Sequence, residues 1–500
     1  MTLNNFKTIV AILFIFLLCT SASANLSHSL DLKIKTSKEE KLIFDTIENQ
    51  SGWPQIYDGG IEDCAQKIAI DSNDNIIVSG YSVYGSRSNA DTIKYDSEGN
   101  ELWHKSYNSG TNDVGWGLTV DDNDNVIVFG YSGILPVSEG NSFIVKYNSD
   151  GEEQWNKTIN KEECDFPGDI TTDNDCCIII TGGSGKWGSN VYYWTIFMNE
   201  SGIEQWNHTF HEGPIDLGLG VAVDSQGDII VTGFSATPFT DSVFIFKYHS
   251  SGEIIWEKRR PGNEPWDVAI DSKDNIIITG NNYEYPSIKF FTMKCDKDGN
   301  LLWINEFDSG AYDGANSVAI DSKDRIIVGG FSGFSQSNYF EHCCIIYDSD
   351  GKELCIKREG IKGYIYGVAV DSSDTIFVTG FILEGLNAYY TTRYVDVIPP
   401  DAQIKKPKEK YLHLFNVPLL PLPRNTISIG KLTVYLDIEN LSDIEKVEFY
   451  LDNYLYETQS ISPYEWILPQ TSIGKHDIQL FVYDSTGSIN RKQIELLKLI

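Results

Sequence analysis

DDNDNVIVFG, from Asp121 to Gly130, is the clearest copy of a phrase that recurs through most of the chain. Its leading Asp returns as Asp71, Asp121, Asp173, Asp224, Asp271, Asp321 and Asp371, with steps of 50, 52, 51, 47, 50 and 50 residues. Nine positions after each stands a glycine: Gly80, Gly130, Gly182, Gly233, Gly280, Gly330 and Gly380. A period of this size, held over seven copies, dictates a repeat architecture before anything else.

Each unit parses into four short strands bounded by Gly, Asn, Asp and Ser clusters. In the second unit they are ELWHKSY from Glu101, GWGLTVD from Gly115, NVIVFGY from Asn125 and NSFIVKY from Asn141, all rich in β-branched and aromatic residues. About fifty residues is too few for an independent domain and right for one propeller blade. A second turn carries Gly99, Gly151, Gly202, Gly252, Gly299 and Gly351, followed four residues later by Trp103, Trp155, Trp206, Trp256, Trp303 and Cys355. A large outer ring once per unit is what packing between neighbouring blades requires. The seventh unit ends at Tyr394 without a Trp strand, and Trp53 precedes Asp71 by the 18 residues that separate Trp103 from Asp121. The expected fold is therefore all-β: a seven-bladed β-propeller over 51–396, closed by its N-terminal strand.

The flanks set the context. Residues 1–24 read as a signal peptide, with Lys7, an apolar run from Ile9 to Leu18 and Ala22-Ser23-Ala24 as cleavage site. An uncleaved anchor is the alternative and would be the route to a membrane. Residues 25–50 are a polar spacer. With 39 basic and 71 acidic residues and a net charge of −32, the chain is a poor partner for nucleic acid or anionic lipid. Asn-x-Ser/Thr sequences at Asn25, Asn49, Asn156, Asn199, Asn207 and Asn440 agree with export. The cysteines outside the leader do not follow the repeat and include no C-x-x-C pair. Cys344 and Cys355 flank the turn DSDG, roughly opposite each other, where a cross-strand disulfide is an option beside buried free thiols.

Taken together, the phrases AIDSNDNIIVSGYS, YDSEGNELW and YNSGTNDVGWGLTVD resemble the bacterial and archaeal secreted β-propeller repeat of the SBBP type. The resemblance covers Trp53 to Tyr394 and implies a fold rather than a function, since propellers host binding, scaffolding and catalysis alike. Residues 397–500 open with a Pro- and Lys-rich linker. Their phrases KVEFYLDNYLYET, SPYEW and GKHDIQLFVYDSTG resemble the immunoglobulin-like modules of microbial surface proteins.

Loops joining one unit to the next share a face with those that follow the phrase, between its strand and the next, while the Asp-rich and Gly turns share the other. On that face Asp63, Asp113, Asp165, Asp216 and Asp313 recur eight residues before the phrase. They could ring the channel mouth and hold a polar ligand or a cation such as calcium, or each could fix its own loop backbone. The variable loops there hold Tyr84, Trp187, Tyr283, Tyr285, Phe334 and Tyr339, platforms for sugar rings or a protein partner. On the other face the paired Asp71/Asp74, Asp121/Asp124, Asp271/Asp274, Asp321/Asp324 and Asp371/Asp374 lack the Gly and distant Glu of a calcium loop, and hairpin turns account for them. The eight His residues follow no repeat, and no G-x-S-x-G elbow occurs. No catalytic residue, metal ligand or cofactor is assigned. The expected function is non-catalytic binding or adhesion at the cell envelope, toward a glycan or a surface protein. The competing readings are a polysaccharide-acting or quinone-dependent enzyme and an envelope spacer.

Overall fold

The computed structural model describes residues 52–134, 139–161, 164–186, 190–236, 241–261, 264–284, 287–309, 312–333, 340–383, 387–394, 402–409, 411–414, 417–422, 426–429, 431–438, 444–452, 454–468, 473–484 and 488–499. The expected signal peptide and spacer lie outside them. Among the described residues every regular element is a β-strand.

The second unit shows how the sequence builds each sheet. Its strands Asn112–Val120, Val126–Ile134, Glu139–Tyr147 and Glu153–Ile159 pair antiparallel in chain order, whereas Glu101–Tyr107, grouped with this unit in the sequence, completes the first unit's sheet. The reversal inside the phrase is held by the Asp121 carboxylate, which accepts from the backbone N–H of Asn123 and Asn125 at 3.0 and 2.9 Å. The phrase's glycine is a packing requirement. A Cβ on Gly130 would stand 2.3 Å from the Val114 carbonyl oxygen and 2.4 Å from the Phe143 ring, distances no side chain tolerates.

The same pattern of pairing recurs in the other units, and their innermost strands touch in chain order until the last touches the first. That cyclic arrangement of small antiparallel sheets is a β-propeller. Its ends meet where Gln55–Tyr57 pairs antiparallel with Ala388–Tyr394, so the N-terminal strand completes the last sheet. The outer Trp residues tie neighbours together. Trp53, Trp103, Trp206 and Trp303 donate their indole N–H to the carbonyls of Ser97, Ser149, Ser250 and Ser349, each in the glycine turn of the following unit. A Cβ on Gly151, Gly202, Gly252, Gly299 or Gly351 would press on the preceding unit's Trp ring at 2.8–3.0 Å, which explains why the Trp and the turn glycine recur together.

The fourth phrase residue has a separate task. Asp124 accepts from the backbone N–H and hydroxyl of Ser72 in the preceding unit at 2.9 and 2.8 Å. Asp274 takes Ser225, Asp324 takes Ser272 and Asp374 takes Ser322 in the same way. Asp74 takes Ser372, 298 residues away, and so latches the last unit to the first. All five Asp residues have φ between 58 and 64°, and the fourth unit carries Gly227 at that place with φ 80°. Thus one carboxylate of each pair shapes its own turn, and the other fastens two units. Asp124→Ala is expected to destabilise by about 1–3 kcal/mol, because it removes charge-assisted bonds and keeps a left-handed backbone that Ala resists. Asp124→Gly relieves the backbone and costs less; urea titration of both variants measures the difference.

Lys323, and then the N–H and hydroxyl of Ser322, hold the Asp374 carboxyl down, to about 2. Its folded pKa lies below the unfolded value, so its stabilising contribution is complete above the ordinary carboxylate range and is lost as the pH falls through about 2. A carboxyl-carbon NMR titration is expected to find this depression, and Lys323→Met is expected to raise the midpoint.

The C-terminal residues form two facing sheets. One runs Val417–Pro421, Tyr411–Leu414, Thr426–Ile429, Ser488–Lys498, Gly474–Asp484, Ile444–Leu451 and Tyr454–Gln459; the other is Ala402–Lys406, Thr433–Ile438 and Glu465–Ile467. Phe449, Trp466, Leu436, Ile478 and Leu480 fill the space between them. This module docks by strand addition. Ser488 and Ile489 pair with Lys357 and Ile356 on the outer edge of the sixth unit, Arg491 reaches Glu353 at 3.5 Å, and Phe481 and Ile489 enter the propeller's core. The outer strands Glu101–Tyr107 and Glu204–Phe210 hold only exposed and half-buried residues, whereas Cys355, Ile356 and Lys357 are consecutively buried. The unit that lacks Trp is the one whose edge is covered.

Cys344 and Cys355 are not directly opposite, which corrects the sequence expectation. Cys344 faces Lys357, Cys355 faces Ile346, and no disulfide joins them. Diagonal strand neighbours stand about 7–8 Å apart at Cα, beyond the usual span of a disulfide.

Candidate functional site: a cup in the central channel

The five recurring acids do not line the channel mouth. Asp63, Asp113, Asp165, Asp216 and Asp313 are all fully buried. Each accepts backbone N–H bonds from the loop that precedes it: Gly59 and Gly60, Ser109, Lys161, Glu212 and Gly213, and Ser309. Ser132, Ser184 and Ser332, directly across the pair of strands, donate to the carboxylates of Asp113, Asp165 and Asp313. Burial nevertheless pushes the Asp313 carboxyl up to about 6, although Ser332 and Ser309 oppose it. These acids lock the unit-to-unit loops.

Of the proposed loop aromatics, Tyr84 and Tyr283 are exposed, at 41% and 37%. Tyr84 hydroxyl meets Tyr57 hydroxyl at 3.0 Å and the Asp91 carboxylate at 3.3 Å. Trp187, Tyr285, Phe334 and Tyr339 lie outside the described residues.

What converges on the channel is a set that the sequence reading passed over. Every innermost strand carries a β-bulge that leaves one residue unpaired, five positions before the phrase. Those residues are Gln66, Trp116, Gly168, Leu219, Trp266, Asn316 and Tyr366, and with Lys67 they line one cavity. A bulge re-aims a side chain, and here it directs one residue per unit toward the axis. The cavity holds about 40 Å³ of free space. Gln66 and Asn316 are anchored through their amide nitrogens, to Cys64 Sγ at 3.1 Å and the Ile365 carbonyl at 2.8 Å. The Trp266 indole N–H is buried and makes no hydrogen bond.

Below these residues lies a charged floor. The Lys67 ammonium stands 3.5 Å from both Asp169 and Asp267. Asp267 also accepts from the Ser317 hydroxyl at 2.8 Å and Val318 N–H at 3.0 Å, and Asp169 from Val221 N–H at 3.2 Å. Burial alone would lower the Lys67 pKa, yet Asp169 and Asp267 hold it above the ordinary lysine range. Burial pushes the Asp169 carboxyl up, to about 6, against the pull of Lys67. Because each inner strand runs from the unit-joining loops toward the phrase, the bulged residues stand on the loop side of this floor. The signal for them was variability inside the frame: Gln, Trp, Gly, Leu, Trp, Asn and Tyr occupy one register position five residues before the leading Asp of the repeated phrase.

No known protein family's sequence pattern matches the chain, and no curated protein matches it. Solved structures similar to it include the extracellular domain of the hybrid two-component system BT3049 from B. thetaiotaomicron, at 12% identity over 87% of this chain and 62% of that one, with TM-score 0.38. The Dos1 propeller matches at 10% identity over 66% and 77%, TM-score 0.40. Sqt1 from Chaetomium thermophilum matches at 11% over 67% and 85%, TM-score 0.42. Likenesses this distant carry no functional argument, and the propeller assignment rests on the chain's own strand pairing. Among the described residues no helix is long and apolar enough to cross a membrane.

Proposed function

We propose that the chain is an exported seven-bladed β-propeller of the secreted repeat type with a C-terminal immunoglobulin-like module, and that it binds a glycan at the cell envelope without transforming it. One observation carries the reading. The bulged register position facing the channel differs from unit to unit, and it supplies two Trp, a Tyr, a Leu and two amides around a single cavity. Aromatic faces with a few fixed polar groups suit the apolar faces and hydroxyls of a sugar. At the loop-side ends of the strands Ile76–Tyr84 and Ile276–Glu284, the exposed Tyr84 and Tyr283 add to the surface available to a ligand.

Ser106 donates to the buried Asp91 carboxylate, and His104 Nε2 stands 3.4 Å from that same acid, so the serine is tied to the acid and not to the imidazole. A screen of the mature chain against glycans and envelope proteins tests the reading. Trp266→Ala is expected to weaken the best glycan by at least about tenfold, measured at a temperature where the variant, which loses a half-buried ring, is still fully folded. Turnover of a substrate that this substitution abolishes would replace the reading with an enzymatic one.

A further inference from the structure

We propose that the cup reads the end of a sugar chain, taking one neutral or amino-bearing terminal pyranose, and does not grip the middle of a polymer. The inference rests on the glycan reading above and narrows it. Lys67 belongs to the first unit, Asp169 to the third and Asp267 to the fifth. Unit one has units two and seven as ring neighbours, so a Lys67 ammonium within 3.5 Å of both acids lies across the channel axis. The acids are fastened in turn to Val221, Ser317 and Val318 of the following units. The channel therefore has a floor, and nothing threads through it.

Size sets the second limit. About 40 Å³ is room for roughly three ordered waters, or for one edge of a single pyranose whose hydroxyls take their places. The polar partners at hand are the Lys67 ammonium, which lines the cavity with the Gln66 and Asn316 amides, and the Trp266 N–H, which lacks an acceptor. Charge sets the third. Two acids face one ammonium in the floor, and the whole chain carries −32, so a uronic acid is repelled.

The test uses the mature full-length chain and calorimetric titration with gluco-, manno-, galacto- and N-acetylglucosamine oligosaccharides of one to six units, each with free ends and with either end blocked by a bulky group. In the series that binds, Kd is expected to vary by less than about threefold between two and six units, since added units lie outside the cup. Blocking one particular end is expected to abolish binding, and the corresponding end-uronate to bind at least about tenfold more weakly. Affinity that climbs steadily with length and survives the blocking of both ends overturns chain-end recognition while leaving glycan binding intact. Absence of binding by every sugar overturns both, and selective capture of an envelope protein would then assign the face to a protein partner. Trp266→Phe keeps the ring and removes only the N–H; with an unchanged melting temperature it is expected to lose at least about fivefold in affinity. Equal affinity in this variant would remove the indole N–H from the argument.

Discussion

Lys67→Met is expected to lower the unfolding free energy by about 3–5 kcal/mol, because it leaves two buried carboxylates facing each other without a cation. The side chains of Lys67, Asp169 and Asp267 are 17%, 7% and 10% exposed, so water screens the cluster little. Asp169 already has its carboxyl pushed up to about 6 by burial with Lys67 in place. Without the ammonium it rises further, and the folded variant takes up a proton at a pH where the unfolded chain, with an ordinary carboxyl, has released it. The sign follows: stability of the variant falls as the pH rises through 6, and part of the loss is recovered on acidification. Guanidinium titrations at pH 5 and pH 7.5 measure both effects. Lys67→Met combined with Asp169→Asn and Asp267→Asn removes the uncompensated charge and is expected to regain most of the stability, since neutral replacement of a buried ionic cluster is often tolerated. If the single substitution costs less than about 1 kcal/mol at pH 7.5, the floor is not the rigid stop that chain-end recognition requires.

The contrast between this cluster and the recurring acids marks what could be read from the sequence. Asp63, Asp113, Asp165, Asp216 and Asp313 stood out because they repeat, and repetition is the mark of a part that every unit needs; all are buried in loop contacts. Lys67, Asp169 and Asp267 share one register position with Gly117, Gly220, Ser317 and Gly367, so no period announces them, and their meeting depends on ring closure. The bulged residues were hidden for another reason. Strict alternation assigns each strand residue to one of two faces, and a bulge creates a third direction that alternation cannot express. The Asp71/Asp74-type pairs were read as turn formers, which describes the first Asp of each; the second bonds a serine of another unit, 52 residues away for Asp124 and 298 for Asp74, beyond any local rule. Substitution of Trp by Cys355 was a visible departure from the pattern, and its cause became evident only with Ser488 and Ile489 laid along that edge.

Closure was legible because it concerns the pattern itself. An 18-residue offset singled out Trp53, and the strand Gln55–Tyr57 that follows it does pair with Ala388–Tyr394. Trp53→Ala is accordingly expected to be the most damaging of the outer-ring Trp substitutions, at about 3–5 kcal/mol. Trp53 is 3% exposed and packs edge-on against Tyr95 of the first unit and Phe377 of the seventh, with ring centroids 5.9 and 5.3 Å away. Trp103 and Trp206 occupy the same register but are only half-buried, and each stands on a strand of seven residues that its own sheet retains. The closing strand has three residues, and Trp53 is its main apolar anchor. Loss of that ring should therefore release the strand and open the last sheet's edge. In hydrogen exchange, Trp53→Ala is expected to unprotect the amides within Tyr389–Thr391 that face Gln55–Tyr57, while Trp103→Ala lowers stability by about 1–2 kcal/mol and leaves those amides protected. Equal protection in the two variants would mean that the latch between Ser372 and Asp74, rather than the short strand, holds the ring shut.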